Sequence, residues 1–213
     1  MSVKAILFDL DGTLWDSSAQ VAAGWNKCIE EKTDRPERFT VDDMHRFMGK
    51  TLDVIASMMF PTLPKEEQLR IIRMCYRYEE DSIKADRPYF YEQEREVLER
   101  LSKKYKLAIV SNCQTGYIEL YMDHCGFPEL FCDFESAGAT GLSKGQNIRL
   151  VMQRQGIDKC VYLGDTAGDE EAAREAGVLF IHAAYGFGTP TAPDASISSI
   201  TELEAAADML LKD

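Results

Sequence analysis

The stretch Ile6-Leu7-Phe8-Asp9-Leu10-Asp11-Gly12-Thr13-Leu14 decides the fold. A short apolar run over 5–8 predicts a buried strand, and two aspartates one residue apart follow at its carboxyl end, where open α/β sheets bind their ligands. Strand periodicity turns Asp9 and Asp11 the same way and Leu10 opposite. Two carboxylates held together repel unless a shared proton or a divalent cation neutralises them. Gly12 then supplies a position that tolerates unusual backbone angles and the close approach of a ligand.

Downstream of Leu14 the pattern changes to helical for about seventy residues. Asp16 or Ser17 caps a first helix carrying Val21, Trp25 and Ile29 on one face. Thr40 and Asp43 form a capping box for a short helix through Phe47 that Gly49 ends. Further helices follow over 51–59 and, after Pro61 and Pro64, over 65–83. Trp25, Phe47, Met58, Met59 and Phe60 are expected in the core of this block. Arg46 and Lys50 would share a helical face only if the helix ran past Gly49, and a solvated pair is the reading adopted.

Strands return at 106–110, 131–136, 159–163 and 178–182. Helices are expected over 93–104, 115–125, 146–155, 170–176 and 201–211, a Gly-rich turn over 138–145, and a surface loop over 186–199. Short apolar strands alternating with helices predict a Rossmann-like α/β core, a parallel sheet covered on both faces. The expected division is a core of residues 1–14 and 87–213 with an inserted α-helical cap domain at 15–86.

At 213 residues the chain is long enough for such a core plus an insertion. Its 36 acidic against 24 basic residues give a net charge of −12, which excludes nucleic-acid and anionic membrane partners. The six cysteines lack any CxxC spacing and are read as buried reduced thiols. No apolar run approaches the roughly 18 residues of a membrane span. The chain enters a strand at once, with no targeting peptide expected, so the protein is read as cytoplasmic.

A parallel sheet brings its strand ends to one edge, which gathers Asp9, Asp11, Ser111, Asn112, Asp165 and Asp169, with Lys144 from the turn before a helix. That set suits phosphoryl transfer. Clustered carboxylates form a hard oxygen site for Mg²⁺. Asp9 is the nucleophile, forming an aspartyl phosphate, and Asp11 the acid that protonates the leaving oxygen and then deprotonates water. Ser111, with Asn112 beside it, holds phosphoryl oxygens, and Lys144 counters the charge on phosphate and Asp9.

In order, Asp9-Leu-Asp-Gly-Thr-Leu14, Val110-Ser-Asn112, Lys144 and Gly164-Asp165-Thr-Ala-Gly-Asp169 resemble the four signature motifs of the haloacid dehalogenase-like (HAD) hydrolase superfamily. The helical insertion is similar to that family's first-type cap, and the resemblance, strongest to phosphoglycolate phosphatase-like members, spans essentially the whole chain. It implies that Asp9, the Asp11 carbonyl and Asp165 ligate Mg²⁺, with Asp169 supporting the metal site. The turn Ala184-Tyr-Gly-Phe-Gly188 resembles the aromatic-glycine loop after the last core strand of these phosphatases. Two positions depart from the pattern. Gly145 follows Lys144 where many relatives have proline, and the second hinge reads Arg87-Pro-Tyr-Phe-Tyr91 rather than ending in Pro-Gly.

The expected activity is Mg²⁺-dependent hydrolysis of a small phosphorylated metabolite of phosphoglycolate or sugar-phosphate type, by a monomer or homodimer. A sugar phosphomutase uses the same chemistry and is the alternative. A phosphorylatable receiver-like switch and an inactive binding protein are the non-enzyme alternatives. A dehalogenase needs no metal, against which the acids at 11, 165 and 169 speak. Gly138-Ala-Thr-Gly-Leu-Ser-Lys144-Gly145 falls short of a P-loop, since Ser143 stands where its second glycine belongs and Gly145 where Ser or Thr should be. His45, His124 and His182 are scattered over separate segments, which argues against a zinc site.

Overall fold

The computed structural model describes residues 2–212. Its elements in chain order are β1 (Lys4–Phe8), β2 (Trp15–Asp16), α1 (Ser18–Lys32), α2 (Val41–Phe47), α3 (Leu52–Met59), α4 (Lys65–Ala85) and β3 (Tyr89–Phe90). There follow α5 (Glu94–Leu101), β4 (Lys106–Ser111), α6 (Tyr117–Cys125), β5 (Phe131–Ser136), α7 (Ala137–Thr140) and α8 (Lys144–Gln155). The chain closes with β6 (Lys159–Gly164), α9 (Ala167–Ala176), β7 (Leu179–Ala183), β8 (Ala195–Ile197) and α10 (Leu203–Leu210).

Six strands form one parallel sheet in the order β5-β4-β1-β6-β7-β8. The chain lays strands to one side of β1, then crosses and continues on the other. The β1/β6 boundary is therefore the topological switch point, where a crevice opens beyond the strand ends. Register sharpens this. Phe8 lies level with Ile109 and with Leu163, so Asp9, Ser111 and Asp165 all emerge within two positions of one another.

Burial of both sheet faces accounts for the unbroken apolar runs. Ile6, Phe8, Leu107, Ile109, Val161 and Leu163 pack on one side with α5, α6 and α10. Ala5, Leu7, Ala108, Val110, Cys160 and Tyr162 pack on the other with α8 and α9. Helices α1 to α4 leave the core after β2 and return at β3. These two short strands pair antiparallel, Trp15 against Phe90 and Asp16 against Tyr89, tying the exit to the return.

Local chemistry explains where the structure departs from expectation. Of the two cap candidates before α1, Ser17 makes no side-chain cap, because its hydroxyl is used elsewhere, while Asp16 Oδ1 accepts the Ser18 N–H at 2.9 Å. The Gly-rich stretch contains the short helix α7, and α8 begins at Lys144, two residues early, because Ser143 and Gln146 form a capping box. The expected loop over 186–199 contains β8, an edge strand of three residues with only Ile197 buried, too short to carry a readable alternation. Met58 is 40% exposed, unlike Trp25, Phe47, Met59 and Phe60. Helix α2 ends at Phe47, so Arg46 and Lys50 share no helical face, and Arg46 pairs with Asp43. Cys132 is exposed and Cys113 half-buried, against the expectation of buried thiols.

Candidate active site

Asp9 continues β1 by one residue, its N–H donating to the Leu163 carbonyl at 2.8 Å, and its side chain is 1% exposed. The Lys144 ammonium donates to Asp9 Oδ1 at 2.9 Å and to Asp169 Oδ1 at 2.5 Å. Lys144 reaches them because it is the first residue of α8, which rests closely on α9. A Cβ at Gly145 would meet the Glu175 carboxylate at 2.6 Å and its Cβ at 2.8 Å. The departure from proline after Lys144 thus corresponds to a tight α8–α9 contact.

Asp169 has a double duty. It completes the capping box of α9, its Oδ2 accepting from the Thr166 N–H and hydroxyl at 2.9 and 2.6 Å, which fixes Oδ1 toward Lys144. Asp165 accepts the Phe187 N–H on Oδ2 at 2.7 Å. Gly186 leaves room for that contact, since a Cβ there would collide with Asp165 and the Gly12 carbonyl. Gly12, at φ +78°, would likewise put a Cβ 2.5 Å from Asp165 Oδ2. The aromatic-glycine loop therefore positions an acid of the cluster.

One carboxylate oxygen from each of Asp9, Asp165 and Asp169 lies within 4.8 Å of the others. Burial, reinforced by the charge of Asp169 and opposed by Lys144, raises Asp9 to about 6. Burial, then Asp169 and Asp9, raises Asp165 well above the ordinary carboxylate range. Burial works against the charge of Lys144, but Asp169 and Asp9 outweigh it and raise its pKa. Asp9 Oδ2 and Asp165 Oδ1 are buried with no hydrogen-bond partner. Unpartnered buried carboxylate oxygens are costly. Their convergence fits a hard divalent cation with oxygen ligands.

Asp11 does not join this cluster. Its Oδ1 accepts from Trp15 Nε1, the Ser17 hydroxyl and the Tyr117 hydroxyl, each at 2.9 Å. Burial is the main cause that raises Asp11 to about 7; the Ser17 and Tyr117 hydrogen bonds oppose the rise and the Asp9 charge adds to it. The two aspartates of the opening motif are thus drawn apart, one toward an ammonium and the other toward two hydroxyls and an indole N–H.

A small cleft of about 50 Å³ lies against Asp11, between Ser111 and Tyr117 of the core and Trp25, Lys50 and Glu79 of the cap. Ser111 is buried at the end of β4. Asn112 donates its amide to the Gly49 carbonyl at 2.9 Å, joining core to cap rather than presenting that N–H to a phosphate. Gln114 makes a second bridge, donating to Glu79 Oε1 at 2.7 Å, while Trp25 Nε1 donates to Glu79 Oε2 at 2.5 Å. Burial raises Glu79 to about 8. A third bridge stacks His45 on Phe187, ring centroids 4.2 Å apart.

Sequence reasoning missed Tyr117, Ser17, Trp15, Gln114 and Glu79. Trp15 and Ser17 lie four and six residues from Asp11, so a local signal existed. Tyr117, 106 residues away, had none.

Comparison with known proteins adds to this geometry. Residues 6–183 match the family model described as haloacid dehalogenase-like hydrolase. Phosphoglycolate phosphatase of Aquifex aeolicus is 28% identical over 191 residues, covering 87% of this chain and 86% of the relative. Among solved structures, a predicted phosphoglycolate phosphatase of Haemophilus somnus superposes with TM-score 0.82 at 22% identity, covering 97% and 98% of the two chains. A haloacid dehalogenase-like family protein of Streptococcus pneumoniae gives TM-score 0.81 at 23% identity, covering 96% and 98%. At those identities the two structures speak to fold alone.

Proposed function

The chain belongs to the haloacid dehalogenase-like hydrolase family, and on that premise we propose that it is a Mg²⁺-dependent phosphatase acting on a small phosphorylated metabolite through a covalent aspartyl phosphate. The observation that carries this reading is the division of labour between Asp9 and Asp11. Asp9 keeps a buried oxygen without a partner while Lys144 neutralises the other. Asp11 sits apart with a pKa of about 7, suited to giving and taking a proton.

Asp9 attacks phosphorus, the ester P–O bond breaks, and Asp11 delivers its proton to the departing oxygen. Asp11, now ionised, takes a proton from water, which attacks the aspartyl phosphate, releasing inorganic phosphate and restoring Asp9. Ser111 holds a phosphoryl oxygen, and Lys144 offsets charge on phosphate and nucleophile. Asp9, Asp165 and the Asp11 carbonyl would hold Mg²⁺, with Asp169 supporting the site. The ion, when bound, supplies positive charge that draws the anionic phosphoryl group toward the acids. The relatives named phosphoglycolate phosphatase support a small phosphate ester as substrate.

The test is phosphate release from an aryl phosphate and from phosphorylated metabolites, with and without Mg²⁺. Asp9→Asn is expected to lower kcat by at least about a thousandfold, as loss of a nucleophile does. Undiminished turnover in that variant would remove Asp9 from the role.

A further inference from the structure

A second, larger groove of about 750 Å³ runs on from the cleft, sharing Leu52, Tyr76, Asn112, Gln114 and Tyr117 with it. Its cap wall is α3 and α4; its core wall is the loop after β4, the start of α6 and the turn around Gly138 to Leu142. This volume falls within the roughly 300–1,000 Å³ of small-molecule sites. A two-carbon acid would fill little of it.

The charges along the groove are uneven. The chain has twelve arginines, and among the described residues ten hydrogen-bond or ion-pair with an acid or a carbonyl. The two that do neither are Arg73 and Arg77, four residues apart on α4, and both line this groove. In a chain of net charge −12, acids to pair with are abundant. The groove's own acids are engaged: Glu80 with Lys84 at 2.5 Å, and Asp53 with the Thr51 hydroxyl at 2.7 Å and the charge of Lys65. Residues i and i+4 of a helix project side by side, so two guanidinium forks can close on one oxyanion.

We infer that Arg73 and Arg77 form a subsite for a second anionic group, carried at the far end of a leaving group longer than glycolate. The inference rests on the phosphatase reading and deepens it. The substrate class is a bis-anionic phosphate ester: one phosphoryl group meets Asp9, and a remote phosphate or carboxylate meets α4.

Binding tests this without turnover. Calorimetry with the Asp9→Asn protein in Mg²⁺ compares two matched pairs, a hexose bisphosphate against the hexose monophosphate and a phosphorylated sugar acid against its neutral sugar phosphate. At least one bis-anionic member is expected to bind about tenfold more tightly, the size of a solvent-accessible charge-assisted contact. Adding R73Q and R77Q is expected to bring that ratio to about one. The responding pair identifies the remote group as phosphate or carboxylate. Equal affinity within both pairs, or a preference that survives R73Q/R77Q, overturns the inference. Phosphate release from an aryl phosphate alongside equal affinities would sink this inference alone. A preference lost in R73Q/R77Q without any phosphate release would sink the phosphatase reading alone.

Discussion

Asp11 is balanced between opposing effects: burial and the Asp9 charge favour its protonated form, while hydroxyls from Ser17 and Tyr117 favour its carboxylate. The acid–base role proposed for it depends on that balance, so altering one contributor should move the pH profile in a known direction. Tyr117→Phe removes a hydrogen bond to the ionised form, and Asp11 then holds its proton more tightly. The alkaline limb of kcat for aryl phosphate hydrolysis is expected to shift upward, by less than about one pH unit for one such bond. A limb that stays or moves downward would dissociate it from Asp11. Legibility at this scale was uneven. The proposed nucleophile, the lysine and the metal-type acids sit in recognisable strings at strand ends. Ser17 read as a helix cap because a serine before an amphipathic run ordinarily is one, and only the fold shows its hydroxyl turned to Asp11. Asn112 read as a phosphate ligand from its position after β4, and the fold adds that its side-chain amide reaches the cap.

Helices α1 and α4 form the frame of the cap, and Gly24 sets their separation: a Cβ there would lie 2.6 Å from the Tyr78 carbonyl oxygen. Gly24→Ala gains up to about 1 kcal/mol of helix propensity. The clash is with backbone, which cannot rotate away, and overpacking of this kind costs about 1–3 kcal/mol. Net destabilisation is therefore expected in urea titration, with the Trp25–Glu79 contact loosened; a more stable variant would show that the helices have slack. Glu79 itself gives a pH dependence. With its folded pKa raised to about 8 from 4.5, the folded state holds its proton between those values while the unfolded state does not. Its contribution is complete below about pH 4.5 and is lost as pH rises toward about 8, at no more than about 1.4 kcal/mol per pH unit. Glu79→Gln should flatten that slope; an unchanged slope would assign it to other groups. Element type was largely legible from periodicity, but ends were not: the Ser143–Gln146 capping box extended α8 back to Lys144, and β8 was hidden in a polar segment.

The sheet order places β1 at the centre, so acids separated by more than 150 residues of sequence converge beside Asp9, and the cap closes over them through Asn112, Gln114 and His45. The α/β architecture was readable because apolar strands recur with chemical residues at their ends. The groove between cap and core was not, since no local pattern reveals which helix faces oppose each other. One consequence belongs to the molecule as a whole. Asp9, Asp165 and Asp169 are all buried, with Lys144 as the ammonium bonded within the cluster. Without a cation the folded state must either protonate acids, as the raised Asp9 and Asp165 indicate, or bear their repulsion. A divalent ion bound only by the fold relieves both and links to stability by mass action, contributing about 2.7 kcal/mol at one hundred times Kd. Mg²⁺ is therefore expected to raise the melting temperature of protein first stripped with a chelator. Asp165→Asn removes one of the repelling charges, so the stripped variant should be at least as stable as the stripped parent, yet it should lose most of the Mg²⁺ shift. A full shift in Asp165→Asn would place the ion away from these three carboxylates, and a stripped variant much less stable than its parent would give Asp165 a structural role in place of the metal.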